Sequence, residues 1–324
     1  MRIDVCTLFE GGYHRGLAVL ANSLHANGFE GRIFAGHREA LPAWADGHEA
    51  DAALGWAGAR RLAVGGGPAL HFLPVETASH FTNHKPDFML SVLDGPGADA
   101  DGVLYLDPDL FLDWPWSYVL EWMECGVALC EDVNSPVSAN HPRRAGWRRH
   151  FGTSAERVTE RYVNGGCVGV LREQRRFPEV WRELQRRMFA VTGGGERVGI
   201  GSTKGGHTER GFAECFDKTD QDALNAAVER CAEVEVSILG KEAMAFAPGR
   251  CVLPHALGRD KPWDRPFLSM ALNCRRGRAV RLVDRLYWTK YAEGPLRPHT
   301  GPTIRRKRWA LAVASAIGRF YRKQ

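Results

Sequence analysis

Apolar and polar residues fall into blocks along this chain, and the blocks follow two different periods. Ile3–Phe9 is a short, nearly continuous apolar run, which predicts a buried strand. A Gly11-Gly12 turn follows, then a helical pattern over residues 13–26 with Leu17, Leu20 and Leu24 on one face, stopped by Gly28. Residues 31–35 and 71–75 read as further strands, residues 50–61 fit neither period, and a second helix is predicted over 85–93. After a loop at 94–101 comes the sharpest block, residues 102–112. Its Val, Leu and Tyr predict a buried strand, with Asp107-Pro108-Asp109 at its carboxyl end.

Downstream the pattern predicts a helix over 115–125, a strand over 127–130, an Arg-rich segment over 141–161 and a Gly-rich strand over Val163–Leu171. Such a strand lets something approach the backbone closely. An amphipathic helix is predicted over 178–191. Residues 192–211, with two Gly clusters, Lys204 and His207, show no period and read as a mobile loop. A helix over 220–230 begins with Asp220-Gln221-Asp222, and beyond Val252 the pattern turns irregular. Strands alternating with helices predict an α/β fold with a parallel sheet built from βαβ units. Neither internal repeats nor a clean linker interrupts it, so one main domain with a C-terminal extension is expected.

Composition narrows the function classes. With 324 residues, 44% hydrophobic and 25% charged, the chain is of ordinary globular make-up. Its net charge is +5, but residues 303–324 hold seven Lys and Arg and no acid, which leaves −2 for the rest. That excludes a globally basic nucleic-acid binder and gives the tail its own role. On a helical wheel Trp309, Val313, Ile317, Phe320 and Tyr321 share one side, and Arg305, Arg308, Arg319, Arg322 and Lys323 the other. This suits an interfacial helix on anionic lipid, or equally an apolar stripe docked on the protein's own core. The eight cysteines are scattered, without C-x-x-C or zinc spacing, as expected of reduced core thiols. No signal-peptide pattern opens the chain and no run approaches the ~20 apolar residues of a membrane span. The expectation is a cytoplasmic protein whose tail can contact the inner face of a membrane.

Two carboxylates one residue apart repel each other unless a cation neutralises them, and such oxygens suit Mg²⁺ or Mn²⁺ carrying substrate phosphates. Asp107-Pro108-Asp109 could also be a plain turn with a capped exit. In His255-Ala256-Leu257-Gly258-Arg259-Asp260-Lys261, a neutral imidazole could complete that coordination, Gly258 allows a tight approach and Lys261 offers a point charge for phosphate. An ordinary hydrogen-bonded His and a surface turn are the plain alternative. Asp220 and Asp222 also suit a helix start, and Asn164-Gly165-Gly166 a strand bulge. Arg143, Arg144, Arg148, Arg149, Arg157 and Arg161 read as a solvated face or as a loop for an anionic saccharide.

Taken in order, Leu104-Tyr105-Leu106-Asp107-Pro108-Asp109, Asn164-Gly165-Gly166, Asp220-Gln221-Asp222-Ala223-Leu224-Asn225 and His255-x-x-Gly258-x-x-Lys261-Pro262-Trp263 carry a resemblance. The chain resembles the retaining family 8 glycosyltransferases, which include glycogenin and bacterial lipopolysaccharide galactosyl- and glucosyltransferases. The resemblance implies a GT-A nucleotide-diphospho-sugar transferase fold over 1–265, a twisted, mostly parallel sheet sandwiched by helices. Residues 266–324 then form a C-terminal extension with a basic amphipathic helix at about 303–324. It implies that Asp107, Asp109 and His255 bind Mn²⁺ or Mg²⁺, with Asp107 also near the donor ribose, and that Lys261 contacts the diphosphate. Tyr13 is implied to stack on uracil with Thr7 beside it, while Lys85 touches the donor and Asn164 shares its pocket. Glu10 stands where relatives more often carry Asp or Asn against the base. Gln221 is implied on the reacting face of the sugar, flanked by Asp220 and Asp222.

The activity so implied is metal-dependent transfer of a hexose, glucose or galactose, from a UDP-sugar to a saccharide or lipid-linked acceptor, as in lipopolysaccharide or polysaccharide biosynthesis. A neutral glutamine is a poor nucleophile, so same-face attack is favoured, with Asp220 on sugar hydroxyls and Asp222 as the covalent candidate. The alternative is a catalytically silent sugar-nucleotide-binding or scaffold protein at the membrane surface. A nucleotidyltransferase is disfavoured, because no Gly-rich, Lys- or Arg-bearing triphosphate loop follows the first strand.

Overall fold

The first apolar run forms a strand with every side chain buried, β1 (Ile3–Phe9). A strand covered on both faces needs no polar alternation, and that is why the run is continuous. The computed structural model describes residues 1–152, 156–192, 194–196, 215–216, 218–273 and 280–320. The loop expected at 192–211 lies almost wholly outside the described residues. After β1 come α1 (His14–Ala26), β2 (Arg32–His37), β3 (Glu49–Ala50), β4 (Arg60–Ala63), β5 (Ala69–Pro74), α2 (Lys85–Asp94) and β6 (Gly102–Leu106). Then follow α3 (Trp116–Glu124), β7 (Val127–Glu131), α4 (Pro142–Phe151), β8 (Val163–Leu171), α5 (Arg176–Thr192), α6 (Thr219–Arg230) and β9 (Val236–Leu239). The C-terminal part adds α7 (Phe267–Asn273), α8 (Leu282–Leu286) and α9 (Gly301–Phe320).

The sheet has nine strands in the order β3-β4-β5-β2-β1-β6-β8-β7-β9. All run one way except β4 and β8, so this is the expected α/β fold with a mostly parallel sheet between helices. The chain leaves β1 on one side through β2 and β5, then returns to its other side as β6. A crevice opens at such a switch point, at the carboxyl ends of the strands. Separate apolar clusters pack the two faces, one including Phe88, Trp147 and Trp181, the other Leu17, Leu24 and Trp122.

Several segments differ from expectation for identifiable reasons. The ambiguous stretch 50–61 runs from the short edge strand β3 into β4 through a 3-10 turn, Ala52–Leu54. Within the block 102–112 the strand itself ends at Leu106, with Asp107-Pro108-Asp109 at its carboxyl end. The Leu110 amide closes a turn onto the Asp107 carbonyl at 3.0 Å, and Leu110 then forms an isolated antiparallel bridge with His255.

The arginines of 141–161 do not form one solvated face: Arg144 is buried and Arg143, Arg148 and Arg157 are half-buried, while Arg149 and Arg161 stay exposed. Arg144 is fully buried and 2.5 Å from Glu229, and Arg148 reaches the same carboxylate at 3.2 Å. Arg157 donates to the carbonyls of Val228 and Val234, and Arg161 to that of Ile238. Carbonyls at a helix end lack intrahelical partners, and Arg157 supplies a donor at the end of α6.

The tail helix docks on the protein. Ile304, Leu311 and Ala314 of α9 are buried in a third cluster with Phe267, Tyr287 and Trp288, and Ile317 packs against it. Trp309, expected on the apolar side, is 61% exposed, while Arg308 pairs with Glu293 at 3.0 Å. Among the described residues no helix is long and apolar enough to cross a membrane.

Candidate active site

The crevice is a cleft of about 330 Å³ between the ends of β1 and β6, the start of β8 and the start of α6. Because β8 runs antiparallel to β6, its first residues lie beside the last of β6, and the Asp107 amide donates to the Gly166 carbonyl at 2.8 Å. The bridge at Leu110 then draws in a segment from far along the chain, with the Ala256 amide on the Asp109 carbonyl at 3.0 Å. Asp107, Asp109 and His255 so come together, their ligand atoms all within 4.8 Å of one another.

These residues fit a divalent cation. Two carboxylates and one imidazole form a largely hard donor set, suited to Mn²⁺ or Mg²⁺. His255 Nε2 lies 3.2 Å from Asp109 Oδ1, while His255 Nδ1 is buried without a hydrogen-bond partner among the described residues. A side chain at Gly166 would intrude, its Cβ falling 2.8 Å from His255 Cε1 and 2.9 Å from Asp107 Oδ2. The Gly-rich strand thus keeps a cradle open. Gly258 has open space where a Cβ would stand, and its φ of +89° makes the turn toward Lys261.

Two buried lysines balance the acids. Lys85, at the first turn of α2, is 3.0 Å from Asp107 Oδ1 and 3.1 Å from Asp220 Oδ2, and donates to the Gly165 carbonyl at 2.9 Å. Lys261 reaches Asp109 Oδ2 at 2.5 Å and the Ala256 carbonyl at 2.8 Å. Burial pushes the Asp109 carboxyl up, but His255 and Lys261 outweigh it and hold it well below the usual range. Burial likewise lowers both lysines, and their carboxylate partners return them above their ordinary values.

On the opposite wall, Asn225 stitches α6 to β8: its oxygen accepts from the Val163 amide and its nitrogen donates to the Val163 carbonyl, both at 2.8 Å. This sets Gln221 beside Asn164 and Gly165. Gln221 Oε1 accepts from the Gly165 amide at 3.1 Å and faces Asn164 Nδ2 at 3.4 Å. Asp220 lines the cleft next to it, its carboxyl raised by burial against the pull of Lys85.

Most of the residues singled out by sequence therefore converge: Tyr13, Lys85, Asp107, Asp109, Asn164, Asp220, Gln221, His255 and Lys261 all line this cleft. Tyr13 sits in a 3-10 turn ahead of α1, 38% exposed, edge-on to Trp263, with the Lys261 ammonium 5.4 Å from its ring centre. Two residues are placed elsewhere. Thr7 is wholly buried within β1, its hydroxyl without a hydrogen-bond partner among the described residues, and Leu8, Phe9 and the following Glu10 line the cleft instead. Asp222 is also wholly buried and outside the cleft lining, accepting from Tyr162 Oη at 2.7 Å and from the Lys218 amide at 2.9 Å.

Sequence reasoning missed other residues. The Tyr105 hydroxyl donates to Asp107 Oδ1 at 3.0 Å, and its place two residues earlier on the same strand was the available signal. Asp132 and Tyr162 support the Gln221 wall from outside the cleft and carry no motif. At the rim, Glu10 faces Arg38 at 3.5 Å and His80 at 3.6 Å, and the Arg38 guanidinium lies 4.1 Å from the Phe81 ring centre.

No protein-family profile matches the sequence, and no curated protein matches it. Among solved structures the chain is similar to the galactosyltransferase LgtC in complex with donor and acceptor sugar analogues. That match has 17% identity, covers 81% of this chain and 90% of the other, and has a TM-score of 0.46. An active-site mutant of LgtC matches with the same identity and coverage and a TM-score of 0.47. The glycosyltransferase GlyE of Streptococcus pneumoniae TIGR4 matches at 14% identity, over 96% of this chain and 64% of the other, with a TM-score of 0.47.

Proposed function

We propose that this protein is a metal-dependent retaining glycosyltransferase that moves a hexose from a UDP-sugar to a saccharide or lipid-linked acceptor. The observation that carries the reading is the Asp107, Asp109 and His255 cluster at the carboxyl end of β6, in one cleft with Lys261, Lys85 and Gln221. A divalent cation held there would supply charge to the departing diphosphate. Lys261, beside Asp109, is placed to add its own charge to a phosphate oxygen, and Tyr13 offers a half-exposed ring to the base.

Asp220, steadied by Lys85, accepts from sugar hydroxyls. Among the described residues, the acids lining the cleft are Glu10, Asp107, Asp109 and Asp220, and each faces a cation or a metal-ligand position. Asp222, the covalent candidate, is enclosed behind the wall. That supports same-face attack, in which the acceptor's proton passes to the leaving phosphate oxygen as the glycosyl bond breaks. Exposed Trp309 with Arg305 and Arg306 supports a peripheral contact with anionic lipid, suited to a lipid-linked acceptor.

The test is UDP release from UDP-glucose and UDP-galactose, with Mn²⁺ or Mg²⁺ and with a chelator, followed by the product's anomeric configuration. The reading predicts metal-dependent release and a retained α-linkage. Release that ignores the chelator, or an inverted product, contradicts it.

A further inference from the structure

Gln221 is gripped by hydrogen bonds that lead out of the cleft through Asn164 and end on a buried acid. On one side, Asn164 Oδ1 accepts from the Gly166 amide at 2.9 Å, so its Nδ2 must face Asp132 Oδ2, 2.7 Å away. Asp132 is 3% exposed and accepts from Asn134 as well. As a carboxylate it only accepts. Backbone and acid together therefore fix which way the Asn164 amide points, and Asn164 turns its nitrogen toward Gln221 Oε1.

The Gly165 amide donates to the same oxygen, so the orientation of Gln221 is set as well. Its nitrogen is left for the other side. Behind that wall Tyr162 donates to Asp222 Oδ1 at 2.7 Å, and Arg143 lies 3.4 Å from that oxygen. Neither Asp132, Asp222 nor Tyr162 lines the cleft.

We propose that Asp132, acting through Asn164, is a positioning residue that locks the Gln221 amide in one orientation. A glutamine at the reacting face can present either a donor or an acceptor, and a wrong flip puts the wrong dipole on a developing charge. The acid removes that choice without touching substrate. The inference rests on the reading of Gln221 as the residue at the reacting face.

Asp132→Asn keeps the volume of the side chain but brings a second amide that can flip. It is expected to lower kcat about 10- to 100-fold, as misplaced catalytic groups do. The donor KM should change less than about threefold, since ground-state binding is untouched. The double variant Asp132→Asn with Asn164→Asp restores a donor–acceptor pair of reversed polarity, but the carboxylate then standing at position 164 cannot donate to Gln221. Its kcat stays low under the proposal and recovers if the pair is only structural. Independently of turnover, the Gln221 side-chain amide signal in ¹⁵N spectra, assigned by its loss in Gln221→Glu, must move in Asp132→Asn. An unmoved signal overturns the proposal whether or not UDP-sugars are substrates, while absent wild-type turnover with a moved signal counts against the transferase reading alone.

Discussion

Asp107-Pro108-Asp109 and Asp220-Gln221-Asp222 have the same spacing, yet only the first sends both carboxylates into the cleft. Pro108 sits in a turn that the Leu110 amide closes onto Asp107, and this turn points both acids the same way. The second triplet opens α6, where residues two apart lie about 200° apart around the axis. Asp220 therefore meets Lys85 in the cleft and Asp222 meets Tyr162 in the core. Identical spacing gives a cluster that could hold a cation on a turn and a divided pair on a helix, so the meaning of a motif depends on the element that carries it.

The sharpest way to break this contrast is kinetic. Asp109→Ala removes a carboxylate from the cation cluster and is expected to lower UDP-sugar turnover by about 10³-fold or more. Asp222→Asn, altering only a support, is expected to cost less than about tenfold in kcat. Equal losses would put Asp222 in the chemistry and end the comparison.

The next effect is on stability. Lys85→Met strips the cation from between Asp107 and Asp220, both partly or wholly buried, and a broken buried pair destabilises by about 3 kcal/mol. Mn²⁺ should restore part of the lost Tm in denaturation measurements, because it returns positive charge beside Asp107. The smallest effect is on pH dependence. Burial raises the Asp222 carboxyl to about 7, against the pull of Arg143 and Tyr162. The folded state thus holds this proton more tightly than the unfolded chain, so the contribution to stability is full below about pH 4 and is lost as pH rises toward 7. In chemical denaturation across that window, Asp222→Asn should lose less stability than the parent. Parallel pH profiles would contradict the assignment.

How far the sequence revealed this follows from the same physics. The strand and helix blocks were legible because apolar periodicity reports burial, and β1 and β8 keep their expected bounds. The cleft was legible where a residue's place follows from its own strand end, as with Asp107, or from an ordered motif, as with His255 and Lys261. What stayed hidden depends on pairing at long separation. The arginines of 141–161 look solvated in isolation, and only the docking of α4 against α6 shows Arg144 and Arg148 sharing Glu229. Asp132 has no local pattern; its partner Asn164 is 32 residues on. Trp309 and Leu311 were separated by docking against α7 and the segment Tyr287–Tyr291, which chose a stripe the helical wheel could not choose.

The central claim is that the Asp107, Asp109 and His255 cluster holds a cation that brings a nucleoside diphosphate into the cleft. Thermal unfolding with UDP, with and without Mn²⁺, in the parent and in Asp109→Ala tests it most directly. A ligand at a hundredfold its Kd stabilises by about 2.7 kcal/mol, which is readily seen as a rise in Tm. The account predicts a rise with UDP that requires Mn²⁺ and disappears in Asp109→Ala. A rise that is independent of Mn²⁺, or one that survives the substitution, would contradict it.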